Sequence, residues 1–184
     1  MKKLALAVTT ACMASTMAFA GGHAKTVKLG IALGFTGPAE SLAEPMARGA
    51  ELAIKEVNAS GALLDNAKID VVRADSTCVE SSAAAAAAER LVSSEKVDSI
   101  IGGLCSGATI SMLQNVAMPK GKVLFSPSAT SPALSTLEDN GFFFRASPSD
   151  ARQGQIIAEI LKEQGHSTIA MTYTNNDYGK GLAD

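Results

Sequence analysis

Apolar positions along this chain switch repeatedly between a period of two residues and a period near 3.6, and the switches mark out alternating strands and helices. Residues 27–33 predict a first strand that runs into a Gly34-Phe35-Thr36-Gly37-Pro38 loop. Leu42, Met46, Ala50, Ile54 and Val57 then recur on one stripe of a helix, with Glu51 and Lys55 spaced to pair on the opposite face. Residues 58–61 close that helix, and 68–74 predict a second strand. The alanine run 83–88 has the look of low complexity, but alanine is the strongest helix former and Leu91-Val92 extends the pattern, so it predicts a closely packed helix. Further strands are predicted at 97–101, 122–125, 142–145 and 168–173, and further helices at 106–118 and 150–164. In the last of these helices Ile156, Ile157, Ile160 and Leu161 supply the apolar face. Strands separated by helices imply right-handed βαβ units, hence a doubly wound parallel sheet flanked by helices, an α/β fold. Residues 175–184 begin a loop and a helix with no further unit after them, so the chain reads as the N-terminal portion of a longer one.

The N-terminus follows a different rule. Met1-Lys2-Lys3 is a positive start, residues 4–19 are uncharged and mostly apolar, and Ala18-Phe19-Ala20 offers a small-x-small cleavage site before Gly21. Residues 1–20 therefore predict a removable signal peptide and an exported protein. Cys12 inside it raises a lipoprotein anchor as a competitor, but Thr9-Thr10-Ala11 is a poor approach sequence and apolar residues continue beyond it. Outside the cytosol paired thiols oxidise, so Cys78 and Cys105, each just after a predicted strand, are expected to form a disulfide. The two strand ends are then expected to be neighbours in the sheet.

Charge narrows the partners. The chain carries a formal −2, and removal of residues 1–20 takes Lys2 and Lys3 away, leaving 14 basic against 18 acidic residues, or −4. A mildly acidic chain without a basic run argues against nucleic acid. No second apolar stretch approaches the about 18 residues needed to span a bilayer, so no membrane insertion is expected after the signal is removed. No His/Cys cluster has metal-ligand spacing, and no glycine-rich phosphate loop of either nucleotide-binding kind occurs, so neither metal nor cofactor is expected.

Two loops at predicted strand ends carry candidate chemistry. Cys105-Ser106-Gly107-Ala108-Thr109 opens a helix, where Ser106 suits an N-cap and free N–H groups make an anion site. Ser126-Pro127-Ser128-Ala129-Thr130-Ser131-Pro132 presents further hydroxyls from an extended loop. Each loop alone is explained by capping and turns. Placed together at the carboxyl edge of an open sheet, they point to a small carboxylate ligand. Gly103-Leu104-Cys105-Ser106-Gly107 also fits the G-x-C-x-G turn of an α/β cysteine hydrolase with Cys105 as nucleophile. Such a thiol needs a base, and the only histidines are His23, at the mature N-terminus, and His166, at a helix end where a solvated or capping role suffices.

At these residues the chain resembles the N-terminal part of periplasmic solute-binding proteins of the leucine/isoleucine/valine type, the receptors of amino-acid ABC importers. The resemblance covers nearly all of 25–184 and rests on Gly37-Pro38, Arg48-Gly49-Ala50, the Cys78 segment, Gly103-Leu104-Cys105-Ser106, the 126–132 loop, Phe144-Arg145, Gln153-Gly154 and Tyr178-Gly179-Lys180-Gly181, in that order. It implies a type I periplasmic binding fold of two lobes closing on the ligand, with 21–146 in lobe one and 147–184 the incomplete start of lobe two. It implies no enzyme, but a periplasmic receptor for branched-chain or related amino acids that delivers them to ABC permease subunits. A sensor for amides or other small polar solutes is the alternative within the same fold. By position, Ser106 and the Thr130 N–H would hold the ligand carboxylate, while the Ser128 carbonyl and the Thr130 hydroxyl would take its ammonium. Ala129 lies between these contacts, and Tyr178 would approach from lobe two. Where leucine-type receptors place a large aromatic over the side-chain pocket, this chain has Leu42, which leaves the amino-acid type open.

Overall fold

In the computed structural model, residues 26–184 are described; the signal segment expected at 1–20 with Cys12, and His23, lie outside them. Five strands, β1 (Thr26–Leu33), β2 (Lys68–Asp75), β3 (Ser99–Gly102), β4 (Val123–Ser126) and β5 (Phe143–Arg145), form one sheet. Its order is β2-β1-β3-β4-β5 and every neighbouring pair is parallel. The helices are α1 (Glu40–Ser60), α2 (Ser81–Glu89), α3 (Ser106–Met112), α4 (Ala133–Thr136), α5 (Asp150–Glu163) and α6 (Asp177–Ala183). Wider π-type turns extend α2 over Arg90–Ser94 and α3 over Leu113–Ala117. This is the doubly wound α/β arrangement expected.

The pleat sorts the core into two faces. Ile31 and Leu33 turn toward α1 and pack with Ala43 and Ala47, while Ala32, Ile100 and Leu124 turn the other way, onto α2 and α3. The alanine run is the reason α2 can lie close: Ala84 and Ala88 are fully buried. Gly30 makes the same allowance in β1, where a Cβ would come within 2.8 Å of Leu91 Cδ1. Gly61, in the left-handed region at φ 66°, ends α1 where the sequence placed the stop.

Four expectations are corrected. The buried stripe of α1 runs through Ala43, Ala47 and Ile54, whereas Leu42 and Val57 are exposed. Glu51 pairs with Arg73 of β2 rather than with Lys55: the guanidinium forks onto both Glu51 oxygens at 2.6 and 2.8 Å and reaches Glu44 at 2.8 Å. An Arg fork offers a carboxylate a better match than one turn of helix can. Residues 168–173 form no strand, because a strand needs a partner and this segment lies outside the sheet, with Ile169, Met171 and Tyr173 exposed. Finally, the disulfide forms, with Cα atoms of Cys78 and Cys105 5.4 Å apart, but β2 and β3 are not neighbours. The bond passes over the end of β1, where Gly34 leaves room for it: a Cβ there would lie 3.0 Å from Cys78 Sγ.

Asp75 ties the end of β2 to the end of β1. Its carboxylate accepts from the Thr36 hydroxyl, from the Thr36 N–H and from the Thr77 N–H. Burial pushes its pKa up, but the hydrogen bonds from Thr36, Thr77 and Phe35 outweigh this and hold it below the usual aspartate value. A carboxylate depressed in the folded state contributes stability above its unfolded pKa, and that share is lost as pH falls through the folded value. The expected result is a loss of stability on acidification from about pH 4 downward. Asp75→Asn should flatten that slope in urea titrations run at stepped pH. Equal slopes for the two proteins would remove Asp75 from this role.

Candidate functional site

A strand order of 2-1-3-4-5 reverses direction between β1 and β3, and the loops on either side of the reversal separate to leave a crevice at the carboxyl edge. A cleft of about 460 Å³ opens there. Its walls come from the loop after β1 (Pro38, Ala39) with α1 (Leu42, Met46), the loop after β2 (Cys78 to Ser81), and the loop after β3 into α3 (Leu104 to Ala108). Ser128 and Thr130 after β4 and Asn176, Asp177 and Tyr178 at the start of α6 complete it. Five of the six residues singled out in the sequence, Leu42, Ser106, Ser128, Thr130 and Tyr178, thus line one cavity. Ala129 does not. It is almost wholly buried, and its N–H donates to Ser126 Oγ at 2.9 Å.

The hydroxyls are held by the backbone around them. Ser126 Oγ donates to the Gly103 carbonyl at 2.7 Å, and Ser128 Oγ donates to the Leu104 carbonyl at 2.9 Å, stitching the two loops together. Ser106 is not the N-cap. Cys105 occupies that position, and Ser106 is the first residue of α3. Its Oγ accepts the Ser131 N–H at 3.2 Å, which leaves its own proton free to be given elsewhere. The Thr130 carbonyl accepts from the Asp150 N–H at 3.0 Å, so its peptide is fixed from the α5 side. Arg145, at the end of β5, donates to the carbonyls of Ala129 and Ser131 at 3.3 and 3.0 Å and to Ser135 Oγ.

The lining divides by chemistry. Leu42, Met46, Val79 and Leu104 make an apolar wall; Ser106, Ser128 and Thr130 make a hydroxyl wall; Glu80 and Asp177 are the charged members, both acidic. Among the described residues no Lys or Arg lines it. Such a site can bind a carboxylate only through neutral donors, and it favours a positive group beside that carboxylate. Asn176, Asp177, Val79 and Glu80 were not anticipated from sequence. Arg145 was visible in the Phe144-Arg145 pair, but nothing in the sequence said that it clamps the loop holding Thr130. Cys105 cannot act as a nucleophile while its sulfur is bonded to Cys78, which overturns the hydrolase alternative. Among the described residues no group of three His, Cys, Asp or Glu side chains could hold a metal ion, and no helix is long and apolar enough to cross a membrane. Another cleft, of about 580 Å³, is lined by Phe35, Glu40, Glu44, Arg73, Asp75 and Arg90, and both of its guanidinium groups are paired, Arg73 with Glu44 and Arg90 with Glu95.

The family model described as periplasmic binding protein matches residues 26–184. An amino acid binding protein of Pseudomonas aeruginosa is 34% identical over 98% of this chain and 46% of its own length. The Leu/Ile/Val-binding protein of Escherichia coli is 30% identical over 87% of this chain and 42% of its own. Among solved structures, the branched-chain amino acid transporter substrate binding protein LivJ of Streptococcus pneumoniae, in complex with isoleucine, superposes with a TM-score of 0.75 at 33% identity. That match covers 86% of this chain and 45% of the other. The chain spans about half the length of the curated relatives it matches.

Proposed function

The chain belongs to the periplasmic binding protein family, and on that premise we propose that it is the N-terminal part of an extracytoplasmic receptor that binds branched-chain or related amino acids for an ABC importer. Residues 21–146 are its first lobe and 147–184 the start of its second. The observation that carries the reading is the division of the cleft into a hydroxyl wall and an apolar wall, with no cationic side chain among the described residues that line it. A free amino acid brings its own ammonium, so a site without Lys or Arg satisfies its carboxylate with neutral donors and places acidic groups near its amine. An anion lacking that amine gains no such partner. Ser106 and the Thr130 N–H serve the carboxylate, the Ser128 carbonyl and Thr130 hydroxyl serve the ammonium, and Leu42 with Met46 and Val79 receives an apolar side chain. Tyr178, half-exposed at the start of α6, closes the cleft from the opposite side. The relatives' names support this solute class, the removable signal peptide expected at 1–20 supports a periplasmic location, and importer permeases are the partners that class implies. Binding is non-covalent and needs no cofactor.

Ser106→Ala tests it. Removing a donor to a charged ligand group is expected to weaken amino-acid binding by about 1.5–3 kcal/mol, roughly 10- to 150-fold. The measurement is calorimetric titration with a panel of amino acids, on a form that carries both lobes. Unchanged affinity would leave Ser106 as a support for Ser131 only, and a wild-type protein that binds none of the panel would overturn the assignment.

A further inference from the structure

Gly181 lies on α6 where that helix crosses the loop after β4. A Cβ built on it would sit 2.8 Å from Pro132 Cδ and 2.8 Å from Ser131 Oγ, with Pro132 N at 3.6 Å. Non-bonded carbon does not approach that closely. Neither neighbour can retreat easily. The Pro132 ring is rigid, and Ser131 is fully buried, with an Oγ that finds no hydrogen-bond partner among the described residues. At the other end of α6, Gly107 in the first turn of α3 makes room for Asp177, whose Oδ2 would lie 2.8 Å from a Cβ at that position. That contact is with the end of a side chain that can swing aside, so it is the softer of the two. Tyr178 stands between these two contacts, on the helix they seat. Gly154 of α5, which faces the same helix, is a natural contrast: its nearest neighbour would be the Leu182 carbonyl at 4.0 Å, ordinary contact distance.

We propose that Gly181 is a positioning residue, whose missing side chain seats α6 on Ser131-Pro132 and thereby sets how far Asn176, Asp177 and Tyr178 reach into the cleft. The proposal rests on the reading of that cleft as the solute site. It requires that closure be limited by backbone approach at Gly181 rather than by the longer side chains at the cleft mouth. Helix energetics predict the opposite sign for a substitution there, since alanine is the better helix former and should only firm α6. A methyl group that nonetheless loosens α6 identifies the seat.

The experiment compares wild type, Gly181→Ala, Gly154→Ala, and Gly181→Ala combined with Ser131→Ala and Pro132→Ala. Two readouts are taken: amide hydrogen exchange over residues 177–183, and calorimetric titration with leucine, isoleucine and valine on a form carrying both lobes. Gly181→Ala is expected to speed exchange in α6 and to weaken binding about tenfold or more. Gly154→Ala should leave both as in wild type, and the combined variant should recover both, because the atoms that collide with the new methyl are gone. Wild-type exchange and affinity in Gly181→Ala would overturn the proposal, as would a combined variant that recovers neither. A wild-type protein that binds none of the three amino acids would defeat the solute reading instead, and the exchange readout alone would then decide whether Gly181 seats the helix.

Discussion

Replacing Cys78 and Cys105 together by alanine is expected to lower the stability of the oxidised protein by about 3–4 kcal/mol. The two residues are 27 positions apart in sequence, and the estimate follows from the conformational freedom that a loop of this length regains in the unfolded chain once the cross-link is gone. The folded state loses something as well. The bond bridges two loops that are not adjacent in the sheet, passing over Gly34 at the end of β1, so it joins the segment before α2 to the segment before α3. Both segments line the cleft. Binding should therefore weaken along with stability, and reductant should produce in the wild type most of what the double substitution produces. Urea titrations with and without dithiothreitol measure the first effect, and calorimetric titration the second. A stability loss under about 1 kcal/mol would mean that loop closure contributes little here and that packing around Gly34 holds the two loops by itself.

The disulfide was legible in the sequence because its logic is local: an expected leader, two cysteines, and two strand ends. Its path was not. That Cys78 and Cys105 straddle β1 depends on the 2-1-3-4-5 order, and strand order is a property of long-range pairing that periodicity does not encode. The same division runs through the rest of the chain. The strands of the sheet and the helices α1, α2, α3 and α5 were readable from alternation and apolar spacing, and Gly61 from its chemistry, whereas the short α4 was not. The segment 168–173 has the composition of a strand but no neighbour to pair with, so its ladder groups stay outside the sheet. In α1 the spacing rule picked a stripe containing Leu42 and Val57, whereas the packed stripe is the smaller one through Ala43 and Ala47. Close approach to β1 favours the small residues, and Leu42 is left to face the cleft. Ser106 lies in the cleft wall, but it is held there for a different local reason than the one read from the sequence. It is not a cap; it accepts from Ser131 and so depends on a loop that begins some twenty residues later.

That dependence leads back to Arg145, for which the largest effect on the cleft itself is expected. Arg145→Ala should destabilise the protein by about 3–5 kcal/mol, since it removes a charged donor from two carbonyls whose residues, Ala129 and Ser131, are buried, and from the Ser135 hydroxyl. Buried acceptors stripped of their donor bear the cost of desolvation with nothing in return. Thr130 sits between those two carbonyls. Its own carbonyl is tied to the Asp150 N–H, and the following N–H, that of Ser131, is the one Ser106 Oγ accepts. Loosening the loop therefore moves the two residues proposed to meet the ligand carboxylate in a single step, and affinity should fall together with stability rather than independently of it. Arg145→Lys separates charge from shape. A lysine keeps the positive charge but cannot reach three acceptors with one planar fork, so it should recover only part of the loss. Thermal unfolding and amino-acid titration of the three proteins side by side provide the measurement. Full recovery by lysine would mean that the charge alone matters at this position, and an alanine variant as stable as the wild type would mean that the Ser126 hydrogen bonds and the Asp150 contact suffice to hold Thr130 in place.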